Sequence, residues 1–169
     1  PLFVRKHIAH YADTMVEIVD RWVSKLADRD EIDFAAEAMD VTLDIATTTL
    51  FSTQVRTQRE EIADSLTVAM EAIVAQTHSL LPMPPQVPTQ RNMAARRAVA
   101  RLDRIVFALI DERRRNPNDT PDMMNLLLAT RDEDSGSAMS DREVRDQTMT
   151  FLLAGHETTA NAITWTMWL

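Results

Sequence analysis

The sequence has no cysteine and only two glycines, Gly136 and Gly155, among 169 residues. Without cysteine, these residues form no disulfide and no cysteine-ligated zinc or iron–sulfur site, and they supply no thiolate nucleophile. Two glycines, where about 7% is usual, also exclude a glycine-rich phosphate loop. No apolar run reaches the roughly 18 residues that a membrane-spanning helix needs. The net charge of −8 argues against general attraction to nucleic acid or to an anionic membrane.

Good helix formers dominate the composition and β-rich runs are scarce, which predicts an all-α fold of about six helices. Asp33 and Thr89 are the expected N-caps of the second and fourth helices, and Thr120 that of a short fifth helix with Pro121 at its first position. Four prolines between 82 and 88 predict a stiff connector. In addition to the short fifth helix, the apolar periodicity predicts helices over 8–26, 34–51, about 56–80, 90 to about 115, and 140–169.

Apolar stripes mark the first, third and fourth helices, and the fourth also has a basic opposite face. The stripe of the first helix is Ile8, Tyr11, Met15, Ile18, Val19, Trp22 and Leu26. The residues expected in the core are Ile62, Leu66, Met70 and Ile73 of the third helix, and Val99, Leu102, Ile105, Val106, Leu109 and Ile110 of the fourth. The arginines on the other face of the fourth helix are Arg91, Arg96, Arg97, Arg101 and Arg104. We interpret them as a solvated face, because the chain as a whole is acidic.

The sixth helix is the longest expected element. Ser140-Asp-Arg-Glu143 is a capping box, and nothing after it forbids helix as far as Leu169. At ~1.5 Å per residue such a helix is roughly 43 Å long. Its first turns are polar and the remainder is almost wholly apolar, so we expect it to run buried through the middle of the fold.

Within this helix, Ala154-Gly-His-Glu-Thr-Thr159 conflicts with local preferences. Glycine costs about 1 kcal/mol against alanine in a helix interior, and a carboxylate in apolar surroundings is costly to desolvate. Helical geometry places Ala154 and Thr158 on one face, where small side chains leave a flat trench that a planar group could approach. Thr158 can donate either to the carbonyl of Ala154 or to a ligand in the trench. Glu157 is suited to passing protons.

The stretch Phe151-Leu-Leu-Ala-Gly-His-Glu-Thr-Thr-Ala160 resembles the signature of the central helix in cytochrome P450 enzymes, which is Ala/Gly-Gly-x-Asp/Glu-Thr-Thr/Ser. Residues 84–92 resemble that family's connector between two helices over the substrate pocket, and residues 100–106 resemble the helix that follows. The order of all six helices is similar to the family's stretch from its fourth to its ninth lettered helix. The resemblance implies that residues 1–169 are part of a single cytochrome P450 domain.

The resemblance also implies roles for individual residues. Ala154 and Gly155 would lie against the distal face of haem b, with Thr158 as the threonine that hydrogen-bonds dioxygen. Glu157 would be the acidic half of the acid–alcohol pair that delivers protons. No residue of this chain would be the axial metal ligand, because the family's downstream Glu-x-x-Arg and its cysteine-containing loop are both missing. We therefore expect an excerpt of a longer chain that is inactive by itself.

Thr150, Leu153 and Ala154 would face the substrate. By the same resemblance, the full enzyme would be a monooxygenase that hydroxylates a small apolar organic substrate. It would use dioxygen and electrons from a ferredoxin or flavoprotein reductase. The expected location is the cytoplasm of a bacterium, with no nucleic-acid partner and no membrane segment in these residues, and an anchor before Pro1 is left open.

Other functions fit the residues less well. A zinc-protease motif that began at His156-Glu157 would need a second histidine where Ala160 stands. A di-iron bundle needs Glu-x-x-His pairs, and the sequence has none. The alternative that remains is a non-catalytic all-α interaction module, or a truncated relative that binds no haem.

Overall fold

The computed structural model describes residues 5–51, 58–79, 83–118, 122–132 and 136–169. They form six α-helices without a strand in the described ranges, apart from one isolated bridge between Arg131 and Ala138. The helices are α1 Arg5–Leu26, α2 Phe34–Phe51, α3 Arg59–Thr77, α4 Gln90–Arg115, α5 Met123–Ala129 and α6 Asp141–Trp168. This confirms the all-α prediction of about six helices.

Three of the predicted helix starts are confirmed by their capping hydrogen bonds. The backbone N–H of Ala36 donates to the carboxylate of Asp33 at 3.1 Å. The N–H of Asn92 donates to the Thr89 hydroxyl at 3.1 Å. At α6, both halves of the Ser140 capping box are present. These signals predicted the boundaries well because each involves residues only three positions apart.

The fifth helix begins differently from the prediction. Its N-cap is Asp122, whose carboxylate accepts from the N–H of Asn125 at 2.9 Å. The predicted cap Thr120 and first residue Pro121 lie outside the described residues. Helix α3 ends at Thr77 rather than near 80, and positions 56, 57 and 80 of its predicted span are outside the described residues as well.

The capping box at α6 makes the stability of that helix depend on pH. The Ser140 backbone N–H and then the Ser140 hydroxyl, by donating to the Glu143 carboxylate, lower the pKa of Glu143. Its stabilising effect is therefore present above the unfolded-state pKa of about 4.3 and is lost as pH falls through the lower folded-state value. We expect Glu143→Gln to lose less stability than the wild type between pH 5 and pH 3, measured by urea unfolding. Parallel pH curves would contradict this.

The core lies where α2, α4, α5 and α6 meet, with the first half of α3 packed on α4. Its most deeply buried large side chains include Leu43, Ile62, Leu66, Leu102, Ile110, Val144 and Leu152. Two predicted core residues of α3 and α4 are wrong: Ile73 is 54% exposed and Val99 is 38% exposed. In the apolar stripe of α1, Ile8, Met15 and Val19 are exposed as well. All buried residues of α3 lie in its first half, so Ile73 is beyond the core. The buried face of α4 passes through Ala98 and Leu102, which leaves Val99 to one side.

The described part of the proline connector, residues 83–88, is held by side chains of α4, and position 82 lies outside the described residues. The Asn92 amide donates to the carbonyls of Pro84 at 2.9 Å and Val87 at 2.8 Å. The Arg96 guanidinium donates to the carbonyl of Pro85 at 2.7 Å. The five arginines of this face are exposed, as predicted. Proline cannot supply a backbone N–H, so the connector is fixed through its carbonyls.

A buried ion pair joins α4 to the start of α5. The Arg113 guanidinium donates to the Asp122 carboxylate at 2.8 Å, and both side chains are 3% exposed. The same arginine donates to the side-chain carbonyl of Asn118 at 3.1 Å. On α1, burial first and then the negative charge of Asp122 raise the pKa of Tyr11. The Asp122 carboxylate thus binds Arg113 of α4, caps α5 and affects Tyr11 of α1.

Helix α6 is not buried all round, contrary to the expectation. Its buried residues are Val144, Thr148, Met149, Leu152, His156 and Ala160. Ala154, Gly155 and Thr158 are exposed. Helices α2, α4 and α5 pack on one side of α6 and leave the other side uncovered within the described residues. No described helix combines the length and the apolarity needed to cross a membrane.

Candidate functional site

The exposed side of α6 is a flat strip of small residues, which we call the trench: Ala154, Gly155, Thr158 and Ala162. A Cβ placed on Gly155 would meet nothing within 4 Å, so packing does not require glycine there. The other glycine, Gly136, has a backbone reason, because its φ of 68° favours glycine. The small size of Gly155 is therefore not explained by the fold, and it keeps the trench flat.

Thr158 uses its hydroxyl hydrogen within the helix. The hydroxyl donates to the carbonyl of Ala154, which is one of the two hydrogen bonds that the sequence allowed. Thr150, two turns before Thr158 on α6, makes the same kind of bond to the carbonyl of Asp146 at 2.8 Å and is also exposed. In this arrangement the oxygen of Thr158 still has lone pairs that can accept a hydrogen bond from a ligand in the trench.

A cleft of about 360 Å³ lies beside the trench, between α2, α3 and α6. We call it the α3–α6 cleft. Its lining residues are Met39, Leu66, Thr67, Met70, Glu71, Val74, Ala75, His78, Leu153, His156 and Glu157. The structure therefore divides the predicted site residues between two neighbouring surfaces. Leu153 and Glu157 line the cleft, whereas Thr150, Ala154, Gly155 and Thr158 do not.

Sequence reasoning gave no role to His156, which the structure places on the opposite side of α6 from the trench. At 3.6 residues per turn, a residue two positions before Thr158 lies about 200° round the helix, so its position could have been foreseen. The imidazole is buried, and it lines the cleft beside Met39 of α2. Burial lowers the pKa of His156, against the opposing effects of the nearby Glu157 charge and of the Met39 backbone.

Glu157 is the carboxylate closest in sequence to the trench, and it is only partly buried. It follows His156 and precedes Thr158 on the same turn of α6. Its side chain lines the cleft, while Thr158 lies in the trench. A carboxyl group in this position connects the two surfaces and is able to take up or release a proton. Among the described residues, no three His, Asp or Glu side chains are grouped so as to hold a metal ion.

Comparisons with known proteins agree with the motif. The family model described as Cytochrome P450 matches residues 3–169. Cyclooctatin synthase of Streptomyces melanosporofaciens is 32% identical over 171 residues, covering 100% of this chain and 37% of that protein. Pentalenene oxygenase of Streptomyces avermitilis is 31% identical, covering 96% of this chain and 36% of that protein.

A third relative and two solved structures extend the comparison. Cyclooctat-9-en-7-ol 5-monooxygenase of Streptomyces melanosporofaciens is 38% identical over 120 residues, covering 70% of this chain and 26% of that protein. The haem domain of cytochrome P450DA superimposes with a TM-score of 0.84 at 25% identity, over 99% of this chain and 37% of that one. Retinoic acid-bound cyanobacterial CYP120A1 superimposes with a TM-score of 0.82 at 25% identity, over 95% of this chain and 35% of that one. The chain thus spans about a third of the length of the proteins that it matches.

Proposed function

Because the chain belongs to the cytochrome P450 family, we propose that it forms the oxygen side of a haem-dependent monooxygenase that hydroxylates an apolar organic substrate. The observation that carries the proposal is the trench, an exposed strip of small residues on α6 for which packing gives no reason. In this proposal, residues 1–169 are part of a single domain. A cytoplasmic location and a ferredoxin or flavoprotein reductase as electron donor belong to the proposal too.

The residues of the trench fit a planar group. Ala154 and Gly155 are exposed side by side, and the space above Gly155 is open. These two residues would hold the distal face of haem b, and Thr158 would present its hydroxyl oxygen beside it. Haem, when bound, supplies the iron at which dioxygen is activated. The axial thiolate would come from outside these residues, because the sequence has no cysteine.

The lining of the α3–α6 cleft favours an apolar substrate. Leu66, Met70 and Leu153 form part of its wall, and hydrocarbon surfaces pack against such side chains with a gain of about 25 cal/mol per Å² removed from water. Thr150 and Ala154 would contact the substrate where it extends from the cleft to the trench. Two of the relatives are named for pentalenene and for cyclooctat-9-en-7-ol. We propose a substrate of this mainly hydrocarbon kind.

Glu157 and Thr158 would move protons between the cleft and the trench. Thr158 donates to the carbonyl of Ala154 in this structure, so its oxygen is fixed at the edge of the trench. Glu157 is next to it and partly exposed, so it can exchange protons with solvent. The role of Glu157 in this proposal is to hold a proton and pass it on through the hydroxyl of Thr158.

The trench can be tested by filling it. Gly155→Leu adds a side chain into open space, so the fold should survive, and unfolding of the haem-free protein should become less favourable by about 0.5–1 kcal/mol through helix propensity. In the full-length protein, we expect the same change to abolish most haem binding. The measurements are haem content and the carbon monoxide difference spectrum of the reduced protein, in which a thiolate-ligated haem has its own Soret position.

Ala108→Leu is the matched control, because Ala108 is also exposed on a helix, in α4. It should bind haem like the wild type. Wild-type haem content in a folded Gly155→Leu protein would contradict the trench as the haem site. If the wild type itself bound no haem, the interaction module would be the better explanation.

A further inference from the structure

Helix α4 concentrates positive charge on an acidic chain. It carries eight arginines against three acidic residues, whereas the chain as a whole has a net charge of −8. Arg97, Arg101 and Arg104 follow one another at spacings of four and three, so they lie in one row along the helix. All three side chains are exposed. We call this row the α4 stripe.

Helix α1 has an acidic row with the same spacing. Asp13, Glu17 and Asp20 follow one another at spacings of four and three, and all three are exposed. We call this row the α1 stripe. Helical geometry places its centre about 130° round α1 from Ile18, which is buried. Each of the two helices therefore turns a row of like charge towards solvent.

These charges are poorly compensated by the chain itself. Within the described part of the chain, the three carboxylates of the α1 stripe and the guanidinium groups of Arg97 and Arg101 have no ion pair and no side-chain hydrogen bond. Arg104 donates to Glu61 at 3.0 Å, but exposures of 68% and 40% let water screen this pair. Like charges four positions apart repel each other, so each stripe gains from a row of opposite charge placed beside it.

Apolar side chains border both stripes. Val16 and Val23 lie beside the α1 stripe and are 58% and 52% exposed. Met93, which is 38% exposed, and the exposed Ala100 lie beside the α4 stripe. By helical geometry the border is on the same side of each stripe. Two such faces bring their borders together when the helices pair antiparallel, with Val23 opposite Met93 and Val16 opposite Ala100.

We propose that the α4 stripe is an interaction surface for the α1 stripe of a second copy of the protein. In the antiparallel arrangement Arg97 faces Asp20 and Arg104 faces Asp13. The contact covers about two turns of each helix, which is small and polar, as in transient complexes. An acidic chain is otherwise repelled by its copies, so association depends on these two rows meeting. This inference does not rest on the proposed monooxygenase.

The test is sedimentation velocity of the full-length protein at two salt concentrations. At about 0.01 M salt, where charges act over roughly 30 Å, we expect reversible self-association, and at about 0.5 M salt we expect a Kd at least about tenfold weaker. Arg97→Glu with Arg101→Glu should weaken association about tenfold or more at low salt, because like charges then face each other. Asp13→Lys with Glu17→Lys should do the same. All four positions are exposed, so the fold should be kept.

A mixture of these two double variants gives the sharpest result. The acidic α4 of one variant meets the basic α1 of the other, so the two should associate with each other although neither associates with itself. Arg91→Glu with Arg142→Glu is the charge-matched control, because both residues are exposed and outside the stripes. Arg91 lies about 120° round α4 from Arg97, and Arg142 is on α6. The control should associate almost as tightly as the wild type.

Two results would overturn the proposal. One is a wild type that stays monomeric at low salt up to about 0.5 mM protein, and the other is a mixture of the two double variants that does not associate. If a monomeric wild type instead bound vesicles containing phosphatidylserine through Arg97 and Arg101, the α4 stripe would be a surface for an anionic membrane and the second copy would be wrong.

Discussion

Glu157→Gln is expected to lower the rate of product formation by about 10²- to 10³-fold in the full-length enzyme, with haem content and fold unchanged. Glutamine has the shape of glutamate but cannot release or take up a proton at neutral pH. Glu157 is partly exposed, lines the α3–α6 cleft and precedes Thr158, whose hydroxyl is fixed on the carbonyl of Ala154. If protons pass through Glu157 and Thr158, the Glu157→Gln variant loses this proton transfer but keeps the packing of the side chain.

The measurements are turnover and its solvent isotope effect. A proton relay predicts that the isotope effect changes in Glu157→Gln, because proton transfer then takes a slower route. Glu60→Gln is the control: Glu60 is an exposed carboxylate in the first turn of α3, outside the cleft. Unchanged turnover together with an unchanged isotope effect in Glu157→Gln would remove the relay role of Glu157.

Asp122→Asn is expected to lower the free energy of unfolding by about 3–5 kcal/mol. Asp122 and Arg113 are each 3% exposed, so removing one charge leaves the other buried without its counter-charge. The carboxylate also caps α5 through the N–H of Asn125 and influences Tyr11 on α1. Urea unfolding would measure the loss.

An exposed ion pair, Arg114 with Asp141, is the control for the buried pair of Arg113 and Asp122. Arg114 donates to the carboxylate of Asp141 at 2.6 Å, with exposures of 44% and 47%. Water screens such a pair, so Asp141→Asn should change stability by about 1 kcal/mol or less. Similar losses for the two variants would show that burial does not control the strength of these ion pairs.

The helix starts show where sequence reasoning succeeded and where it failed. Asp33, Thr89 and Ser140 were foreseen as caps, because each acts on a backbone group within three residues. At α5 the prediction named Thr120, whereas the cap in the structure is Asp122. The Asp122 carboxylate also binds Arg113, nine positions away in the sequence, and a local capping rule does not include such a partner.

The motif in α6 likewise shows what local spacing can predict and what it cannot. Its sequence determined that Ala154, Gly155 and Thr158 share one face, because helical spacing alone fixes which residues are neighbours. It also identified the family to which the chain belongs. It did not determine which face would be covered, and the apolar composition wrongly indicated burial all round.

The sequence by itself determined the helices, most of their starts and the small-residue face of α6, since these depend on contacts within about four residues along the chain. Only the tertiary structure decided that α2 covers the His156 side and leaves the trench open. It also decided that Leu153 and Glu157 meet residues of α3 in a cleft. Burial and hydrogen bonds between distant segments arise when helices pack, and no local pattern specifies the partner.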